Sequence, residues 1–144
     1  MKPDRAQPHC PSARPEMAGS TVFGIVGGTA EEPRVGYLTA PVPVTREILA
    51  LAEPARPGEI LRIAAPCAGH GCQHFDGSHC RLVQRIVDAL PPVVDDLPPC
   101  ALRPACLWFR QEGKSTCLRC PQIISETCEP TDTMRWAADP ATPP

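Results

Sequence analysis

"CAGHGCQHFDGSHCRLVQRIVDAL", residues 67–90, changes character halfway along. Its first fourteen residues carry three cysteines and three histidines and almost nothing apolar. From Arg81 the apolar side chains Leu82, Val83, Ile86, Val87 and Leu90 recur at helical spacing, with Arg81, Gln84, Arg85 and Asp88 largely on the opposite face. This predicts an amphipathic helix, stopped by Pro91-Pro92. Ahead of it, Asp76-Gly77 is a strong turn signal, so the chain can reverse and return Cys80 toward Cys67 and Cys72. The expectation is a cluster of thiols gathered at the head of a helix.

The full pattern is C67-x4-C72-x7-C80-x19-C100-x5-C106-x10-C117-x2-C120-x7-C128. It falls into two groups on either side of the helix. The first is Cys67, Cys72 and Cys80; the second is Cys100, Cys106, Cys117 and Cys120; Cys128 can serve either. Cys10, far from the rest, reads as a stray thiol. Nine cysteines, an odd number, do not close a disulfide framework.

Composition says why such groups matter. The chain of 144 residues is about one domain, with 20 prolines, 10 glycines and only 4% aromatics. Aromatic side chains bury the most area, so their scarcity implies a thin core that needs a metal, a staple or a partner. The net charge is −2, and residues 67–128 balance six basic against six acidic side chains. The basic face of a nucleic-acid binder is missing. The first twenty residues have no apolar stretch of a secretory leader, and no run suits a membrane span, so the expectation is a cytoplasmic protein with reduced thiols.

Reduced, clustered cysteines read as metal ligands. Structural zinc takes four Cys or His, commonly from two C-x2–4-C knuckles. Only Cys117 and Cys120 form a C-x2-C pair here, and Pro121 follows it. The looser spacings suit the wider iron–sulfur clusters, held by four cysteines. The expected cofactor is therefore one or more iron–sulfur clusters of the 4Fe–4S kind, with zinc as the alternative. The expected ligands are Cys67, Cys72, Cys80, Cys100, Cys106, Cys117, Cys120 and Cys128. Cys128 leads as fourth ligand of the first group, with His74 and His79 as substitutes. The spacing signatures of radical enzymes and of bacterial ferredoxins are absent.

Asp76-Gly77-Ser78-His79 is similar to the motif of the CDGSH iron–sulfur proteins, which hold a cluster through three Cys and one His. Phe75 stands where that motif needs a cysteine, and its preceding C-x-C pair is missing, so membership is rejected. More loosely, the spacing around Cys67–Cys80 together with "WFRQEG" and "CLRCPQ" resembles small cysteine-rich bacterial proteins, a likeness that implies no activity.

The remaining chain suggests a small, irregular α+β domain of short strands and helices, organised by metal. Residues 1–20 read as a disordered tail, 21–66 as a short-strand N-terminal segment, 67–128 as the cysteine-rich metal-binding core, and 129–144 as a short helix and proline-rich tail. "TVFGIVGG" predicts a buried strand; it lacks the spacing of a nucleotide loop. "RVGYLT" and "EILRIAAP" predict strands, "APVPV" an extended link, and "TREILALAE" a helix capped by Thr45. A helical turn is expected from Val93 toward Leu97, and Trp108 and Phe109 are expected in the core between the cysteine groups. "CLRCPQIIS" reads as a turn leading into a helix.

The reading for function is a metal-binding accessory or electron-transfer protein that acts with a protein partner, without nucleic acid or membrane. The alternatives are a structural zinc module for protein contacts and a thiol-redox enzyme using Cys117 and Cys120. A Cys–His nucleophile drawn from Cys72 or Cys80 lacks an orienting third group, and the pairs Glu31-Glu32 and Asp95-Asp96 read as solvated turns. No catalytic residue is assigned.

Overall fold

The computed structural model describes residues 8–29, 31–124 and 131–141. It is an α+β domain around one antiparallel sheet. The strands are β1 (His9–Cys10), β2 (Thr21–Gly28), β3 (Pro33–Pro43) and β4 (Leu61–Pro66), in the order β1-β4-β2-β3. The helices are α1 (Arg46–Ala50), α2 (Pro57–Ile60), α3 (Arg81–Ala89), α4 (Leu107–Glu112), α5 (Lys114–Cys117) and α6 (Asp132–Ala138). No helix among the described residues is long and apolar enough to cross a membrane.

β4 sits inside the sheet, and its side chains alternate between two covered faces. Leu61, Ile63 and Ala65 pack with Val22 and Ala13 on one face. Ala64 packs on the other with Phe23, Val83, Ile86, Leu90, Leu102 and Trp108. Both pairings of β2 shift register between Val22 and Gly24, so the strand is irregular at Phe23. A Cβ on Gly24 would stand 2.6 Å from Val35, which is why that position has no side chain.

Local signals are well kept. Thr45 accepts a 3.2 Å bond from the Ile48 N–H and starts α1. β2 occupies the expected residues, and the expected second strand extends through the Pro-rich link to Pro43. The third strand starts later than expected, because Pro57 opens a helical turn before Leu61. Along α3, Val83, Ile86 and Leu90 are buried, with Leu82 and Val87 packed beside them. Trp108 is fully buried and Phe109 packs against the same core.

Three expectations are corrected. From Pro8 the stretch expected to be a disordered tail is built into the fold. β1 pairs with β4, Pro11 and Ala13 are buried, and the Ala13 N–H donates to the Ile63 carbonyl at 2.9 Å. A short proline-rich segment makes no ladder of its own, but β4 offers it a free edge. Second, no helical turn forms at 93–97. The N–H groups of Val93 and Val94 both go to the Leu118 carbonyl, and Pro98 disfavours helical backbone at Leu97. Third, Arg85 does not face solvent: α6 covers it, and its Nε donates to the Ala137 carbonyl at 2.7 Å. After Cys117, at the end of α5, the chain makes only a tight turn over Cys120–Gln122. The expected helix beyond it and Cys128 lie outside the described residues.

Candidate metal centres

The cysteines stand at the ends of elements rather than within them. Cys67 follows β4, Cys72 closes the turn Gly69–Gly71, and Cys80 is the N-cap of α3. Between Cys72 and Cys80 the Asp76 carboxylate accepts from the N–H groups of Ser78 (2.9 Å) and His79 (2.8 Å). Those two bonds, His79 first, hold Asp76 below the usual carboxylate range. Gly77 turns the chain there at φ +103, and Phe75 bridges to Cys80. The reversal expected at Asp76-Gly77 is therefore present. Gly77→Ala forces a Cβ into the left-handed region and is expected to cost about 1–2 kcal/mol. Chemical denaturation measures it, and an unchanged midpoint would remove the turn from the account.

In this group the backbone reaches toward sulfur. The Gly69 N–H donates to Cys67 Sγ and the His74 N–H to Cys72 Sγ, each at 3.4 Å. The N–H groups of Val83 and Leu82 face the Cys80 sulfur without closing a cap bond. N-cap positions ordinarily hold Ser, Thr, Asp or Asn, whose oxygens accept these donors. A thiol accepts weakly, whereas a thiolate at such a place is stabilised.

The second group is built alike. Cys106 is the N-cap of α4, and the Phe109 and Trp108 N–H groups face its sulfur. Leu102 and Arg103 present theirs to Cys100. The Arg103 side chain reaches Cys117, and the Tyr37 side chain meets the Cys120 sulfur. All four sulfur-bearing residues line one cavity, together with Trp108 and Tyr37. Burial pushes Cys106 up to about 12, with Cys120 and Cys100 adding to the rise. Burial also raises Cys100, and it raises Cys117 against the pull of Arg103.

The turn carrying Cys117 and Cys120 is pinned from several sides. Arg62 donates to the Cys120 carbonyl at 2.7 Å, and its second amino group reaches the Pro11 carbonyl at 3.2 Å. Arg119 donates to the Leu90 carbonyl and Gln122 to the Pro91 carbonyl, both at 2.7 Å, tying the turn to the end of α3. The two groups are also joined. Gln111, on α4, accepts from the Cys80 N–H and donates to its carbonyl, each at 2.9 Å. His9 bridges to Cys106, which brings β1 against the start of α4.

The cysteines of the second group line one cavity, and in the first the turn pairs Phe75 with Cys80, while the histidines take other work. His74 Nδ1 lies 2.8 Å from Arg85, and burial, then the Arg85 charge, lower its pKa. A nitrogen that accepts from Arg85 is not available to a metal. His79 is exposed, and His70 stands edge-on to Phe75 at 5.2 Å. Among the described residues no three Cys, His, Asp or Glu side chains are already drawn together as a metal site, and no cysteine is in a disulfide.

Sequence reasoning missed Arg62, Gln111 and the strand pairing that places Cys10 opposite Ala65. Arg62 did leave a signal, a lone cation inside the apolar strand "LRIAAP". Gln111 left none. No protein-family model, curated protein or solved structure matches the chain.

Proposed function

We propose that this protein is a metal protein, with iron–sulfur clusters of the 4Fe–4S kind at its two cysteine groups, and that it serves as an electron carrier or accessory to a protein partner. The observation that carries the reading is a surplus of donors without acceptors. The buried side-chain polar atoms that lack a partner among the described residues are Arg62 Nε, Arg81 Nε, Arg103 Nε and Trp108 Nε1. All four are donors. Arg62 is fully buried, and none of the ion pairs among the described residues includes it.

A buried cation without an anion is strongly destabilising, and an orphaned buried donor calls for an ion or group that would satisfy it. Four thiolates around a metal supply that negative charge. Arg62 and Arg103 lie at the second group, and the Trp108 N–H faces Cys80 in the first. Anionic centres would supply acceptors for the donors of Arg62, Arg103 and Trp108, while Arg81 already pairs with Asp76.

Iron–sulfur is preferred to zinc because the second group's cysteines line one cavity from three places, Cys100, Cys106 and the turn carrying Cys117 and Cys120. Such an arrangement suits a cluster wider than one ion. N–H groups facing the sulfurs and buried positive charge are the levers by which a protein sets a cluster's potential.

The thiol-redox alternative fares poorly at Cys117. That residue ends α5 instead of opening a helix, and burial raises its thiol. A reactive thiolate needs the reverse of both.

Reduction of the anaerobically purified protein with dithionite, followed by electron paramagnetic resonance, tests the reading. A reversible one-electron signal without substrate turnover is expected. Turnover coupled to NAD(P)H or to thiols would replace the carrier with an enzyme.

A further inference from the structure

The first group, as the sequence spacing defines it, has three cysteines, and a four-coordinate centre needs one more ligand. We infer that Cys10 is that ligand, so that the first centre is Cys10, Cys67, Cys72 and Cys80 and the N-terminal strand closes it.

The sheet register carries the argument. β1 pairs antiparallel with β4, with Cys10 opposite Ala65 and His9 opposite Pro66. The pairing continues as the Cys67 N–H donates to the Pro8 carbonyl at 2.8 Å. Side chains two residues apart on a strand share a face, so Ala65 and Cys67 lie on one side of the sheet. Cys10, opposite Ala65, lies on that same side, diagonal to Cys67, where long side chains come within reach of each other.

Two further observations agree. The Ser12 N–H is directed at the Cys10 sulfur, as the Gly69 and His74 N–H groups are at Cys67 and Cys72. Cys10 stands within electrostatic range of Cys80, Cys67 and Cys72. Beside them stands the fully buried Trp108, whose unpartnered N–H faces Cys80. His74, the nearest histidine substitute, is engaged by Arg85.

Binding is a ligand exchange without change of oxidation state. The Cys10 S–H gives its proton to solvent as the sulfur–metal bond forms, and the water it displaces leaves the metal. The inference rests on the metal reading above and adds a consequence to it. Loading the first centre would fasten the N-terminal segment to β4.

The test compares the wild-type chain with Cys10→Ser, Cys128→Ser and Cys10→His, all purified anaerobically. Iron, sulfide and zinc are assayed per chain beside the visible spectrum. Cys10→Ser is expected to lose about half of the wild-type metal, and Cys128→Ser to keep all of it. Cys10→His, which retains a ligand, is expected to hold the full complement with a shifted spectrum, which keeps the test decisive where the serine variant does not fold. Full loading of Cys10→Ser, an unshifted Cys10→His spectrum, or halved loading of Cys128→Ser would overturn the assignment of Cys10. A wild-type chain without metal would instead overturn the metal reading beneath it.

Discussion

Stripping the metal with a chelator, under reducing and anaerobic conditions, is expected to unfold the protein. On the metal reading the apolar core is too slight to hold alone. Its main cluster contains two aromatic residues, Phe23 and Trp108, and counts Cys80 and Cys106 among its buried members. Between Cys67 and Cys80 the chain has a single three-residue helical turn, and residues 91–102 form neither strand nor helix. Such loops order only where something fixes their ends, and a structural zinc site, for scale, contributes about 10–16 kcal/mol. Circular dichroism is expected to show loss of both helix and strand signal and of the cooperative thermal transition. Restoring iron and sulfide with a reductant is expected to recover both. An unchanged melt after complete removal would separate folding from metal.

Replacing Arg62 by methionine is the second large effect. The substitution keeps much of the apolar stem and removes the guanidinium that contacts the Cys120 and Pro11 carbonyls. It also removes the contact with the Phe23 ring, now at 5.2 Å. If that cation balances an anionic centre, its loss leaves buried negative charge unpaired, at a cost of about 3–5 kcal/mol. Denaturation of the loaded protein measures this. A second readout separates charge balance from simple hydrogen bonding. Less positive charge beside a cluster favours its oxidised form, so the potential of one centre is expected to move negative. A destabilised protein with unmoved potentials would make Arg62 a structural clamp only.

What was legible in the sequence follows from the range of each interaction. Thr45 and the apolar stripe of α3 are local patterns, and the structure keeps them. The four cysteines of the second group lie within a short span, so their convergence is nearly a local property too. Cys10 is the opposite case. Its place is decided by the pairing of β1 with β4, across a long stretch of chain, and nothing near Cys10 announces it. Arg85 misleads for a related reason. Its position on α3 reads as a polar face, but α6 arrives from far along the chain to cover it. The helical turn expected after Val93 fails because Pro98 and the Leu118 carbonyl, not the apolar pattern, decide the backbone there.

The most direct measurement is the metal content of the full chain, purified without oxygen. Iron, acid-labile sulfide and zinc are assayed on one sample whose visible spectrum is recorded first. The account predicts a brown protein with iron and sulfide in equal amounts, enough for two clusters per chain. A colourless protein that folds with its thiols free would contradict it. A colourless protein with two zinc ions per chain would retain the centres and contradict the clusters.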